Sequence, residues 1–214
     1  MQGILFDLDG TLVNTLSDLA DAMNRALVKN GLPPYPEERY RYFVGNGIHI
    51  LTERVAGAWP EKMADVEKTY EADYAAHWHV RSAPYPGIPE MLEGLKQRGY
   101  RLCVFSNKPD RDTQNVIRYF FGEESFHVVR GQIEGIPIKP DPQGALLCAE
   151  ALGVSPEHML YLGDSGVDMR CAGNAGMTGI GALWGFREEQ ELREGGARYI
   201  VSSPQELLTL VDEL

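Results

Sequence analysis

Short apolar runs alternate with amphipathic helical patterns along most of this chain, and one long stretch interrupts the alternation. Residues 3–8, 101–106, 127–130, 159–163, 178–183 and 199–201 read as buried strands. Between them, residues 90–98, 110–121, 142–152, 166–175 and 204–214 carry helical patterns. Strands joined through helices by short connections predict a parallel sheet covered on both faces, an α/β, doubly wound, Rossmann-like core. Residues 15–82 contain no convincing strand. Leu16, Leu19, Ala20, Met23 and Leu27 fall at helical spacing, and further helices are expected over 36–43, 48–58 and 61–78. Thr15 with Asp18 resembles a capping box, and Gly31 is placed to end that helix. Ala83-Pro84-Tyr85-Pro86-Gly87 is a turn-rich joint. The expected organisation is therefore a core made of residues 1–14 and 83–214, with an α-helical cap, residues 15–82, inserted after the first strand.

Composition narrows the function. A net charge of −11 argues against a nucleic-acid binder, which needs a basic stripe to neutralise phosphates. It leaves open a small phosphorylated substrate, which one metal ion, one lysine and a few backbone N–H groups can hold. Cys103, Cys148 and Cys171 are scattered, with no C-x-x-C pair, which fits a reducing compartment. No apolar run is long enough to span a bilayer. A cytoplasmic protein, without nucleic-acid or membrane partners, is expected.

Four strand ends carry residues capable of chemistry. The first reads Phe6-Asp7-Leu8-Asp9-Gly10-Thr11. In an extended chain, Asp7 and Asp9 share a face and project from the carboxyl edge, where open α/β sheets place ligands. Two carboxylates this close call for a cation or donor. They suit a metal site with one nucleophile and one proton carrier, although an isolated pair is more often two surface aspartates in a turn. The second strand ends in Ser106-Asn107, a hydroxyl and an amide that can bind phosphate oxygens or cap the next helix. Lys139 precedes a proline-initiated helix, where it can neutralise phosphate charge and hold Asp7, or simply face solvent. A fourth strand runs into Gly163-Asp164-Ser165-Gly166-Val167-Asp168. The i, i+4 acids share a helix face there, suited to Mg²⁺ with its preference for oxygen ligands, or to the helix dipole alone.

In combination and in order, these motifs resemble those of the haloacid dehalogenase superfamily, over the whole chain. Within it the chain is most similar to phosphoglycolate phosphatases, through Phe43-Val44-Gly45-Asn46-Gly47, Pro84-Tyr85-Pro86-Gly87, Asn107-Lys108-Pro109 and Trp184-Gly185-Phe186-Arg187. Asn14 stands where relatives usually carry Asp, and Ser106 where Thr is common; a capping group and a hydroxyl are kept.

The resemblance implies Mg²⁺-dependent hydrolysis of a small phosphorylated metabolite, with 2-phosphoglycolate foremost. Asp7 is then the nucleophile and Asp9 the general acid and base. Mg²⁺ is expected on Asp7, the Asp9 carbonyl and Asp164, with Asp168 supporting that shell. Ser106, Asn107 and Lys139 are expected to hold phosphate. In the cap, Arg41 and Asn46 are candidates for selecting the substrate, with His49 and Arg81 as further polar groups. His77 and His79 are not spaced as a metal pair on a helix. The competing readings are a β-phosphoglucomutase-type phosphomutase, a dehalogenase that needs neither a second acid nor a metal, and a non-catalytic phosphate-binding module. The expected assembly is a monomer or weak homodimer.

Overall fold

A computed structural model describes residues 2–214. In chain order the elements are β1 (Gly3–Phe6), β2 (Val13–Asn14), α1 (Leu16–Lys29), α2 (Glu37–Phe43), α3 (Gly47–Ala56), α4 (Met63–His77), β3 (Ala83–Pro84), α5 (Ile88–Gln97), β4 (Arg101–Pro109), α6 (Asp110–Phe121), β5 (Val128–Gln132), α7 (Gln143–Leu152), β6 (Met159–Gly163), α8 (Gly166–Asn174), β7 (Thr178–Ala182), α9 (Glu189–Glu194), β8 (Tyr199–Val201) and α10 (Pro204–Glu213). Six strands form one sheet in the order β5-β4-β1-β6-β7-β8, all pairs parallel. The chain builds outward from β1 to one side, then returns to build β6, β7 and β8 on the other. The reversal leaves a crevice at the carboxyl ends of β1 and β6, the general ligand position in such sheets.

The period-2 alternation of the strands divides the core. Ile4, Phe6, Leu102, Val104 and Leu162 pack on α5, α6 and α10. Leu5, Cys103, Phe105 and Tyr161 face α7 and α8 on the opposite side. Leu5 sits in register with Cys103 on one neighbour and Tyr161 on the other. The central strand is thus fully buried, which is why it reads as an unbroken apolar run.

The four helices α1–α4 lie between β2 and β3, a two-residue antiparallel ribbon through which the chain leaves and rejoins the core. They enclose a separate apolar cluster of Leu19, Met23, Leu27, Tyr40, Val55, Val66 and Tyr70, into which Phe186 of the core inserts. The ribbon and α9 have no strong sequence signal. The ribbon is too short for a period, and α9 buries only Leu192 in a charged segment.

The capping box expected at Thr15 and Asp18 does not form. Thr15 Oγ1 donates instead to Asp9 Oδ1 at 2.7 Å. Buried Asp18 accepts from the backbone N–H groups of Arg81 and Ser82 and from Ser82 Oγ, at 2.7–3.0 Å. Tertiary partners out-compete the local cap, because Asp18 ties the first turn of α1 to the cap exit. The capping box that does form pairs Ser165 with Asp168 at α8. Asp18→Ala leaves those donors without their charged acceptor, and should cost about 2–3 kcal/mol in urea unfolding, whereas half-buried Asp21→Ala, which loses only a surface pair with Arg81, should change stability little.

Candidate active site

β1 ends at Phe6, earlier than expected, yet Asp7 N–H still donates to Leu162 O at 2.9 Å. The chain then turns around the Leu8 carbonyl, which accepts from the N–H groups of Thr11, Leu12 and Val13. Asp7 and Asp9 therefore come together through a turn rather than through strand alternation. Gly10, at φ +92°, is required inside it: a Cβ there would lie 2.3 Å from Asp164 Oδ2.

A cavity of about 130 Å³ lies between these strand ends and the cap. Asp7, Asp9, Ser106, Asn107, Lys139, Asp164 and Asp168 all line it. At its floor, the Lys139 ammonium donates to Asp7 Oδ1 and Asp168 Oδ1, both at 2.7 Å, and to Phe105 O at 3.3 Å. Asp168 is further fixed by donation from Ser165 Oγ at 2.5 Å and from Tyr161 Oη at 3.3 Å. Asp164 accepts from Phe186 N–H at 2.7 Å and from Thr11 Oγ1 at 3.5 Å. Asp9 is held separately, by Thr15 at one oxygen and by Lys108 Nζ, 3.0 Å from Oδ2.

Three buried carboxylates, Asp7, Asp164 and Asp168, place one oxygen each within 4.8 Å of one another, against the single ammonium of Lys139. Burial and the Asp168 charge hold the Asp7 carboxyl well above its usual pKa, although Lys139 opposes them. Burial, again with Asp168, pushes Asp164 up to about 7, against the opposing Phe186 N–H and Arg187. For Lys139, burial disfavours the charge, but Asp168 and Asp7 outweigh it and raise its pKa. The excess of buried negative charge and the all-oxygen donor set suit a hard divalent cation.

Ser106 is buried on the cavity wall, and its hydroxyl oxygen accepts from Lys108 N–H at 3.2 Å. The Asn107 side chain is turned to structural work. Its Oδ1 accepts from Lys139 N–H at 2.8 Å, and its Nδ2 donates to Lys139 O and to Gly45 O of the cap. The two cap candidates do not line the cavity. Arg41 Nε donates to Phe186 O at 2.9 Å, and Asn46 Oδ1 accepts from Arg54 Nη2 at 2.9 Å. Arg41 meets the core at Phe186 and Asn46 meets helix α3 of the cap at Arg54, so the polar atoms of both are taken up by protein. Residues with no assigned sequence role take their place: Lys108, Tyr70, Tyr74 and Arg187 line the cavity. Lys108 had a readable signal. β4 runs on to Pro109, so Lys108 shares a face with Ser106 two residues earlier.

The raised Asp164 pKa fixes the sign of a stability change. A carboxyl that binds its proton more tightly folded than unfolded loses stabilisation as pH rises from about 4, its unfolded value, to about 7. Metal-free protein should therefore lose thermal stability across that window, and Asp164→Asn should flatten the loss in a melting series.

The matched family model, haloacid dehalogenase-like hydrolase, covers residues 4–182. A relative from Mannheimia succiniciproducens named phosphoglycolate phosphatase is 34% identical, over 96% of each chain. The structure of a predicted phosphoglycolate phosphatase from Haemophilus somnus superposes with a TM-score of 0.91 at 29% identity, covering 99% of this chain and 98% of that one. CbbY from Rhodobacter sphaeroides, solved in complex with phosphate, gives 0.83 at 27% identity, covering 97% and 96%. Among the described residues no helix is long and apolar enough to cross a membrane. With that fold and those relatives, this chain belongs to the haloacid dehalogenase-like hydrolases and is a phosphatase acting on phosphate monoesters.

Proposed function

We propose that the enzyme hydrolyses 2-phosphoglycolate, or a phosphate monoester of similar size, with Mg²⁺ and through a phosphoaspartate on Asp7. The observation that carries this reading is the cavity floor: Asp7 sits 2.7 Å from Lys139, beside Asp164 and Asp168, with Asp9 on the same cavity. The relatives named phosphoglycolate phosphatase support the same substrate.

Asp7, Asp164 and the Asp9 backbone carbonyl would hold the ion, with Asp168 bracing Lys139. When bound, Mg²⁺ neutralises charge on the phosphoryl oxygens. The Asp7 carboxylate attacks phosphorus, and the bond from phosphorus to the ester oxygen breaks. Asp9 delivers its proton to the departing oxygen, because an alkoxide is a poor leaving group without one. Asp9 then takes a proton from water, and the resulting hydroxide attacks phosphorus. The bond to Asp7 breaks and inorganic phosphate leaves. The Lys139 ammonium stays beside Asp7 through both steps, and the Ser106 hydroxyl offers a donor to a phosphate oxygen. The role of Asn107 is to set the Lys139 backbone, with phosphate contact limited to its own main chain.

Asp7→Asn should lower phosphate release by at least about 1,000-fold. A chelator should abolish release and added Mg²⁺ should restore it. Asp9→Asn, supplied with p-nitrophenyl phosphate, whose leaving group needs no proton, should accumulate protein carrying one phosphoryl group by intact mass. Ordinary turnover by Asp7→Asn, or isomerisation of a sugar phosphate in place of phosphate release, would overturn the reading.

A further inference from the structure

Lys108 pairs with Asp9 rather than joining the Lys139 cluster, and it is one of the most enclosed cations in the molecule. Its side chain is only 4% exposed, and its ammonium forms a single hydrogen bond, to Asp9 Oδ2 at 3.0 Å. An ammonium carries three donors, so two are unused. The ammonium lies 4.8 Å from the centroid of the Tyr74 ring, which reaches down from α4 of the cap. The Tyr74 hydroxyl is buried and has no hydrogen-bond partner among the described residues. Burial holds its pKa at about 12, so at neutral pH it is a donor. Lys108 and Tyr74 both line the cavity, whose cap side also carries Leu19, Ile48, Leu51, Tyr70 and the carboxylate of Glu71. Donors left over after the Asp9 contact, on an ammonium and a hydroxyl that are both buried, call for a further acceptor.

The position of that acceptor follows from Asp9. A general acid must lie within hydrogen-bond reach of the ester oxygen it protonates. Lys108 is one hydrogen bond beyond Asp9. An anion that Lys108 can reach therefore lies close to the ester oxygen; with Lys139 beside Asp7 on the phosphoryl side, the leaving group is the part of the substrate left for Lys108.

We infer that Lys108 and Tyr74 form a subsite for a carboxylate carried on the carbon next to the ester oxygen, and that filling it draws the ammonium away from Asp9. This rests on the proposed phosphatase reaction and deepens it. The cap supplies the tyrosine and the core the lysine, so the subsite is complete only when the two are apposed. Substrates with the carboxylate are thereby distinguished from equally small neutral esters. With the ammonium on the substrate, Asp9 Oδ2 is released to face the ester oxygen, so recognition and alignment of the acid are one event.

Steady-state kinetics on 2-phosphoglycolate and on ethyl phosphate, which lacks the carboxylate, test this. Lys108→Met should lower kcat/KM for 2-phosphoglycolate, largely through KM, by about 30-fold more than for ethyl phosphate, whose smaller loss reports the Asp9 contact alone. Lys108→Arg should recover part of the loss. Glycolate should inhibit the wild-type enzyme competitively and the Lys108→Met variant much less. Tyr74→Phe, a change that leaves the packing intact, should weaken 2-phosphoglycolate alone by about 5-fold and keeps the test decisive if Lys108→Met does not fold. Equal losses on both esters would overturn the inference, since Lys108 would then serve only Asp9. So would a wild-type enzyme that cleaves both esters equally well, with the phosphatase reading intact. A wild-type enzyme that cleaves neither would instead remove the proposed function.

Discussion

The Lys139 ammonium, enclosed between Asp7 and Asp168, is the contact on which the site depends. A buried ammonium without a partner is strongly unfavourable, and so is each buried carboxylate. Holding Lys139 in place therefore needs several independent devices. Asn107 fixes its backbone from β4, and Ser165 and Tyr161 fix the second carboxylate from β6 and its connection to α8. One charge pair thus sets the relative positions of the ends of β1, β4 and β6 and of the loop before α7. Only the crevice at β1 brings all four together. The remaining negative charge, on Asp164 and the rest of the cluster, is what a divalent cation would balance.

The cap is held to this frame by backbone carbonyls that accept from long side chains. Asn107 donates to Gly45 O, Arg187 to Val44 O and Arg41 to Phe186 O, so bonds cross the boundary in both directions. Phe186 adds an apolar contact by entering the cap cluster. Each of these is a single hydrogen bond or one ring, modest in net free energy. The same Phe186 backbone donates to Asp164, so the loop after β7 couples the cap boundary to the acidic cluster directly.

Much of this was legible in the residues because it follows from local period. Alternating apolar runs marked all six strands of the main sheet, and the helical spacing of Leu19, Ala20, Met23 and Leu27 marked the buried face of α1. Asp7, Asp9 and Asp164 stood at predicted strand ends, Lys139 just before a predicted helix and Asp168 in the first turn of another. What escaped has a common cause. Thr15 and Asp18 fitted a local cap, but long-range partners at Asp9 and Ser82 offered better acceptor and donor geometry. Arg41 and Asn46 were polar residues in the right module with no way to tell which neighbour each would meet. Lys108 was two residues past the expected end of its strand.

By itself, then, the order of residues determined the parallel α/β core, the helical insertion, and the identity of the groups gathered at the strand ends, because strand and helix periods and chain order are local properties. Only the tertiary structure decided how those groups divide their work. Lys139 joins Asp7 to Asp168, Lys108 takes Asp9, and Asn107, on the cavity wall, bonds to the backbone of Lys139 and Gly45. Such pairings are set by distances between segments far apart in the chain, under the requirement that every buried charge and donor find a partner, and no local pattern encodes that requirement.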